Sequence, residues 1–324
     1  MATSKLLRND TTSSKRTTKE IARSWFRRQA EAATFSSKNV INGKDIEMCQ
    51  RDYSHPPKVM MNIETGHAVE LPQYLQRHYW WAYINPTMIS ILDRKWLVDI
   101  VLWGNFTKLR DSAMRELIDA TPKVAENGDT TESSICGTKI QGKILQVSSV
   151  YADLTEIIVD NLAKDATLDV IDVVPAQLKN LQCKLQRSTA VSNRDDLKKV
   201  SLSCCDASNL NAHFPNNNTF DKVLIFFLLH ETPAIVRQQV LAEACRVVKH
   251  DGKVVIIDYH KPNTAFWSYI MQFMYNVYEP FAMDLWKHPL SQWLPSNYKK
   301  MSYQKETYVG GLYQSLVIRT GHKS

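Results

Sequence analysis

Lys143-Ile-Leu-Gln-Val-Ser-Ser-Val-Tyr-Ala-Asp153 is the stretch that decides how this chain is read. An apolar run passes straight into a polar turn and then into a helical pattern, as at a strand-to-helix turn that cradles a nucleotide cofactor. Such turns usually carry an acidic residue followed by alternating glycines. Here Gln146 takes the acid's place, and Ser148, Val150 and Ala152 take the glycine places. The turn reads as a cofactor loop with its glycines removed. The question is then whether the scaffold around it is intact.

Downstream, strand signals recur at 143–150, 167–174, 198–205, 220–229 and 253–259, with helical stretches at 153–163, 175–186 and 233–249 between them. Asp153 and Glu156 are spaced for a capping box on the first of these helices. Strands alternating with helices predict a parallel sheet covered on both faces. Residues 302–320 add two strand-like runs around Gly310-Gly311, a hairpin signal. A parallel sheet ending in an antiparallel hairpin is the architecture of class I S-adenosylmethionine-dependent methyltransferases. The expected fold is therefore α/β and Rossmann-like, with a mostly parallel seven-stranded sheet and an N-terminal helical cap.

Three regions follow. Residues 1–60 read as a targeting and linker segment, 61–140 as a helical cap with a polar loop, and 141–324 as the cofactor-binding domain, with a substrate lid over 262–300. In the cap, Met88, Ile91, Leu92 and Trp96, then Leu109, Met114 and Leu117, recur near helical spacing. Residues 121–138 are polar, contain Gly and Pro, and read as a surface loop.

In an open parallel sheet, ligands bind beyond the carboxyl ends of the strands. Asp172 stands about 20 residues past the rewritten turn, where a carboxylate accepts hydrogen bonds from a ribose diol. Asp206, followed by Ala207, is placed to meet an adenine amino group. Gln146, Val147, Ser148 and Tyr151 in the turn, with Val173 and Phe227 at neighbouring strand ends, complete the expected cofactor contacts. Dinucleotides need a close backbone approach to pyrophosphate, which glycine permits. Bulky Val150 and Tyr151 argue against them. S-adenosylmethionine has no phosphate and tolerates a fuller loop. His230, Glu231, Asp258 and His260 fall at the remaining strand ends and are candidates for base and metal roles. His230, Tyr151, Asp258 and His260 are the expected catalytic residues; Asp258, His260 and Glu231 are the expected metal ligands, because imidazole with carboxylate suits a manganese-like divalent ion. Glu279 and Asp284 are further metal candidates in the lid.

Bulk composition narrows the partners. The chain has 324 residues and a net charge of +7. Nine Lys or Arg against three Asp or Glu lie in the first 40 residues, so the excess sits on one segment and no nucleic-acid face is implied. That segment is rich in Ser, Thr and Arg, and 17–35 is patterned as an amphipathic helix, as in a mitochondrial presequence. The six cysteines have no metal or disulfide spacing, which fits reduced thiols. Cys204 and Cys205 are expected in a strand, facing opposite sides. No apolar run approaches the roughly 18 residues of a spanning helix. Seven of the eight tryptophans fall in two windows, 80–103 and 267–293, which suits a quinone cap or a membrane interface.

Seven segments carry a more specific resemblance: Tyr79-Trp-Trp-Ala-Tyr-Ile-Asn-Pro86, Trp96-Leu-Val-Asp-Ile-Val-Leu-Trp-Gly-Asn-Phe106, Gln146-Val-Ser-Ser-Val-Tyr-Ala-Asp-Leu-Thr155, Phe226-Phe-Leu-Leu-His-Glu231, Ile257-Asp-Tyr-His-Lys-Pro262, Glu279-Pro-Phe-Ala-Met-Asp-Leu-Trp286 and Gly310-Gly-Leu-Tyr313. Over residues 74–318 the chain resembles the rhodoquinone-biosynthesis protein family, methyltransferase homologues that act on ubiquinone. Ala152 departs from the glycine expected there in many relatives. The resemblance implies replacement of a ring methoxy group by an amino group. It further implies S-adenosylmethionine as amino donor and a divalent metal such as manganese. Expected partners are ubiquinone, a membrane surface bound peripherally and a quinone-biosynthesis complex. The expected location is the matrix face of the mitochondrial inner membrane. Two other readings stand beside it: a quinone or phenol methyltransferase with an altered loop, and a non-catalytic quinone-binding relative.

Overall fold

The computed structural model describes residues 59–61, 68–119, 139–296, 298 and 303–320. The N-terminal segment, its amphipathic stretch and the 121–138 loop lie outside the described residues. Seven strands form one sheet: β1 Lys143–Val147, β2 Thr167–Asp172, β3 Val200–Cys204, β4 Phe220–Phe226, β5 Val248–Tyr259, β6 Tyr303–Tyr308 and β7 Tyr313–Arg319. Their spatial order is β3-β2-β1-β4-β5-β7-β6. The first five run parallel, and β7 inserts antiparallel between β5 and β6. The chain therefore has the Rossmann-like class I methyltransferase fold, with the order reversing between β1 and β4.

Burial on both faces explains the apolar strands. Along β1, Ile144 packs into one core with Phe106, Leu109 and Val170, while Leu145 and Val147 pack into the other with Val240 and Leu241. This two-residue alternation places a helix layer on each side. The helices are α1 Pro86–Leu92, α2 Lys95–Val101, α3 Phe106–Ile118, α4 Leu154–Asp160, α5 Pro175–Arg187, α6 Ala234–Val247, α7 Ala265–Tyr278 and α8 Met283–Lys287. A π-helical turn over Leu75–Tyr79 and an α turn over Trp80–Tyr83 precede them. Asn85 starts α1 by accepting from Thr87 N at 2.9 Å, with Pro86 just inside the helix. A short antiparallel pair, Val59–Met61 with Ala68–Glu70, lies ahead of the cap.

Three local expectations are corrected. The fifth strand begins at Val248, where it already pairs with Phe220, before a register shift brings Lys253 beside Lys222. The third ends at Cys204, so Cys205 lies beyond the ladder. The capping box does not form. Asp153 is spent on two cations of the cap, Lys95 Nζ at 2.7 Å and Arg110 Nη1 at 3.0 Å, which bind a carboxylate more strongly than a backbone amide does.

Candidate active site

The rewritten turn keeps the backbone that glycines would give it. Ser148 has φ 77° and Ala152 φ 62°, both in the left-handed region. For an L-residue this costs roughly 1–2 kcal/mol each, so the surroundings must hold the shape. Gln146 is fully buried, and its Nε2 donates to Ser148 O and to Thr155 Oγ1, both at 3.0 Å. Ala152 N donates to Asp93 Oδ1 at 2.9 Å, and Lys184 clamps the pair by donating to Asp93 Oδ1 and to Ala152 O. Side-chain hydrogen bonds hold the left-handed shape that glycines would otherwise supply.

This bracing commits the side chains of two expected cofactor residues. The Gln146 carboxamide is consumed within the turn. Val147 is 1% exposed and packs in the core beneath. Tyr151 is also tied down: its hydroxyl donates to Ala82 O at 3.2 Å and accepts from Gln177 Nε2 at 2.7 Å. Burial drives its phenol well above the usual range, so it stays protonated, and its two bonds brace the cap against α5.

Asp172 ends β2 beside the turn. Its Oδ2 accepts from Ser149 N and its Oδ1 from Val174 N, each at 2.8 Å. Burial pushes its carboxyl up to about 6, against the lowering effect of these amide donors. Ser148 Oγ also donates to Oδ2 at 3.4 Å, so Oδ1 is the freer acceptor for a ribose hydroxyl. Asp206 is exposed just past β3, and its Oδ1 accepts from Ser208 N at 2.8 Å. Ala207 and Val173 are half-buried nearby. A ribose hydroxyl would donate best to the ionised form of Asp172. Adenosyl-cofactor affinity is therefore expected to be full above pH 6 and to fall as pH drops through about 6. Titration calorimetry across pH 5–8 checks this, and Asp172→Asn should flatten the profile while weakening binding.

A second cluster lies at the ends of β4 and β5. Asp258 is fully buried, and all four of its contacts are donors: Leu229 N at 2.8 Å, His230 N at 3.3 Å, Tyr259 N at 2.7 Å and His230 Nδ1 at 2.8 Å. Because Asp258 accepts throughout, Nδ1 carries the proton and Nε2 faces Glu231 Oε1 at 3.7 Å. Burial opposes charge on His230, but Asp258, then Glu279 and Glu231, raise it to about 9. Glu231 is pushed up by burial, with Glu279 adding to the effect and His230 opposing it.

One ligand atom from each of His230, Glu231 and Glu279 lies within 4.8 Å of the others. Two cap tyrosines anchor the acids: Tyr83 OH donates to Glu231 Oε1, and Tyr79 OH to Glu279 Oε2 at 2.8 Å. The metal set is corrected accordingly. Glu231 belongs to the cluster, Asp258 stands behind His230 with its lone pairs used, and His260 is elsewhere. β5 ends at Tyr259, so the alternation that would return residue 260 to the Asp258 side no longer applies. His260 turns to the hairpin, with Nδ1 at 2.8 Å from Gly311 O and Nε2 at 3.0 Å from Lys305 Nζ. Asp284 lies 4.0 Å from Arg237 Nη1, outside the cluster.

Aromatic rings enclose the imidazole. Tyr259 meets His230 edge-on at 4.7 Å and stacks on Tyr313 at 5.5 Å. Phe227, itself at φ 51°, meets His230 at 5.9 Å. From the lid, Tyr275 packs on Tyr259 at 5.2 Å and on Trp286 at 5.3 Å. The Tyr275 hydroxyl and Trp286 Nε1 are buried donors with no partner among the described residues. Fully buried Arg237 donates to Leu229 O, Thr232 O and Phe281 O, tying the His230-Glu231 turn to the segment after Glu279.

Sequence reasoning missed Tyr79 and Tyr83 as anchors of the acids. Their four-residue spacing, which puts two side chains on one helical face, was the available signal. It missed Arg237 altogether, because nothing local distinguishes a buried arginine from a solvated one.

The model of the ubiE/COQ5 methyltransferase family matches residues 127–306, more than half of the chain. No curated protein matches significantly. Likeness to solved structures is remote. The PH0226 protein of Pyrococcus horikoshii OT3 is 16% identical, over 55% of this chain and 82% of that one, with TM-score 0.39. A SAM-dependent methyltransferase of Aquifex aeolicus is 15% identical, over 72% of this chain and 97% of that one, also with TM-score 0.39. A protein of Bordetella parapertussis is 12% identical, over 67% of each chain, with TM-score 0.43.

Proposed function

The chain belongs to the ubiE/COQ5 methyltransferase family, and from that premise we propose that it converts ubiquinone to rhodoquinone, exchanging a ring methoxy group for an amino group with S-adenosylmethionine as amino donor. The observation that carries this reading is the His230, Glu231 and Glu279 cluster set under an aromatic lid, next to a cofactor turn whose glycine places hold side chains.

The chemistry needs such a cluster. A methoxy-bearing quinone carbon is a vinylogous ester carbon and is electrophilic. An amine adds there and methanol leaves, once the amine has lost its ammonium proton. Shift of the donor's α-proton then turns the bond from nitrogen to the donor into an imine as the quinone becomes the quinol, and water hydrolyses that imine to the ring amine and a 2-oxo acid. A sulfonium methyl is itself electrophilic and has no reason to attack that carbon.

The residues fit a divalent metal. His230 with two carboxylates is a suitable donor set, and Asp258 on the far ring nitrogen is the outer partner that metal-bound histidines usually have. When bound there, the ion would supply Lewis-acid polarisation of a quinone carbonyl. The chain's own residues do the rest. Asp258 fixes the imidazole, Tyr79 and Tyr83 fix the acids, and Tyr259, Tyr275 and Trp286 enclose a flat ring. The unpaired Tyr275 hydroxyl and Trp286 Nε1 are donors suited to quinone oxygens.

A second reading, quinone methylation, is favoured by the left-handed backbone at Ser148 and Ala152, which leaves the turn shaped for an ordinary cofactor pose. One experiment separates the two. The chain is expressed in cells that make ubiquinone but no rhodoquinone, and the extracted quinones are analysed by mass spectrometry. Aminoquinone carrying label from nitrogen-labelled donor is expected. Folded protein that yields no aminoquinone, or yields a methylated ring, would sink amination.

A further inference from the structure

On the solvent side of the lid, α2 and α7 expose apolar side chains where surface helices usually carry charge. On α2 and just after it, Trp96 is 58% exposed, Ile100 63% and Trp103 40%, spaced as one helical stripe. On α7, Phe266 is 68% exposed, Tyr269 77% and Phe273 57%, again along one stripe. The sequence of α7, Ala-Phe-Trp-Ser-Tyr-Ile-Met-Gln-Phe-Met-Tyr-Asn-Val-Tyr, contains no charged residue. Its opposite face is in use, since Met271 and Tyr275 are buried over the site. Trp103 and Trp267 meet at 5.0 Å, which joins the two stripes into one patch. Monomeric soluble proteins rarely leave an apolar patch of this kind uncovered.

Charge selects what covers it. Across 93–108 and 261–278, every exposed charged residue is basic: Arg94, Lys95, Lys108 and Lys261. The acids there turn inward. Asp93 is bound by Lys184, and Asp99 accepts from Phe106 N at 3.1 Å. Tryptophan and tyrosine beside a basic rim match the headgroup layer of an anionic bilayer, where an apolar ring body and a polar edge are both satisfied. No described helix is long and apolar enough to cross a membrane.

We propose that α2 and α7 form a docking face for an anionic phospholipid surface, with the exposed aromatics seated at headgroup depth. The face goes beyond the proposed reaction and does not depend on it. Its consequence is positional: the helix that roofs the site also rests on the bilayer, so a substrate dissolved in lipid would reach the lid without crossing water.

The test uses the full chain with vesicles of phosphatidylcholine alone and of phosphatidylcholine mixed with phosphatidylglycerol. Binding to the mixed vesicles, weakened by salt, is expected. Phe266→Ser/Tyr269→Ser/Phe273→Ser should lower vesicle affinity roughly tenfold or more. The same variant should keep its melting temperature and its S-adenosylmethionine affinity. Arg94→Gln/Lys108→Gln/Lys261→Gln should remove the preference for phosphatidylglycerol. Both variants retain the basic N-terminal segment, so binding through that segment alone would leave them unaffected. Unchanged affinity in the aromatic variant would overturn the proposal. So would a wild-type chain that ignores vesicles but dimerises through this face in sedimentation velocity.

Discussion

Asp258→Asn is expected to cut turnover on the order of a thousandfold or more while leaving cofactor affinity within a few-fold of wild type. The side chain is fully buried among four donors, and its carboxylate accepts from all of them. An amide is nearly the same size but must direct an NH₂ at groups that also donate. Either the Leu229–His230 turn shifts, or the His230 proton moves to Nε2 and points at Glu231. Both outcomes remove the ring nitrogen that the cluster needs. The proposed cofactor acids lie at and just past the ends of β2 and β3, so binding measured by calorimetry should persist. Quinone turnover by mass spectrometry gives the other half of the comparison. Activity within tenfold of wild type would refute the role. His260→Ala provides the contrast. Its ring serves Gly311 and Lys305 at the hairpin, so its effect should be small.

Arg237→Leu is expected to destabilise the protein by about 1–3 kcal/mol, because it strips a donor from a buried carbonyl and loosens two other contacts. The arginine is fully buried, and its guanidinium serves the carbonyls of Leu229, Thr232 and Phe281 while lying 4.6 Å from the Trp293 ring centre. Leucine fills most of the volume but leaves Thr232 O without a donor, while Leu229 O keeps Thr232 Oγ1 and Phe281 O keeps Asp284 N. Thr232 directly follows the turn that carries His230 and Glu231. Denaturant unfolding should therefore show a lower midpoint. If the proposed cluster holds a metal, any surviving protein should also bind it more weakly, since the tie from Arg237 to Phe281 O, two residues after Glu279, is lost. A loss below 1 kcal/mol would mean that water replaces the guanidinium without cost.

The fold was legible because its signals are local and repetitive. Parallel strands buried on both faces leave apolar runs such as Val223-Leu-Ile-Phe226, and Gly310-Gly311 marks the closing hairpin. Strand-end residues were legible for the same reason: topology alone sends Asp172, Asp206, His230 and Asp258 to one edge. Side-chain commitments were not legible. That Gln146 would fold back on its own turn, that Asp258 would be used up by amides, and that His260 would leave with the hairpin all depend on partners distant in sequence. Asp153 shows the limit most plainly. The local pattern offered a helix cap, but Lys95 and Arg110, which arrive from another region, took the carboxylate instead.

Tyr83 touches both halves of the site. Its ring lies 5.9 Å from that of Tyr151 in the cofactor turn, and its hydroxyl donates to Glu231 in the acid cluster. Whatever moves the turn also moves that acid. In the proposed reaction the two ligands would be coupled through this one side chain, each altering the other's affinity by the same factor. Tyr83→Phe should then leave each ligand's affinity, measured by calorimetry, independent of the other.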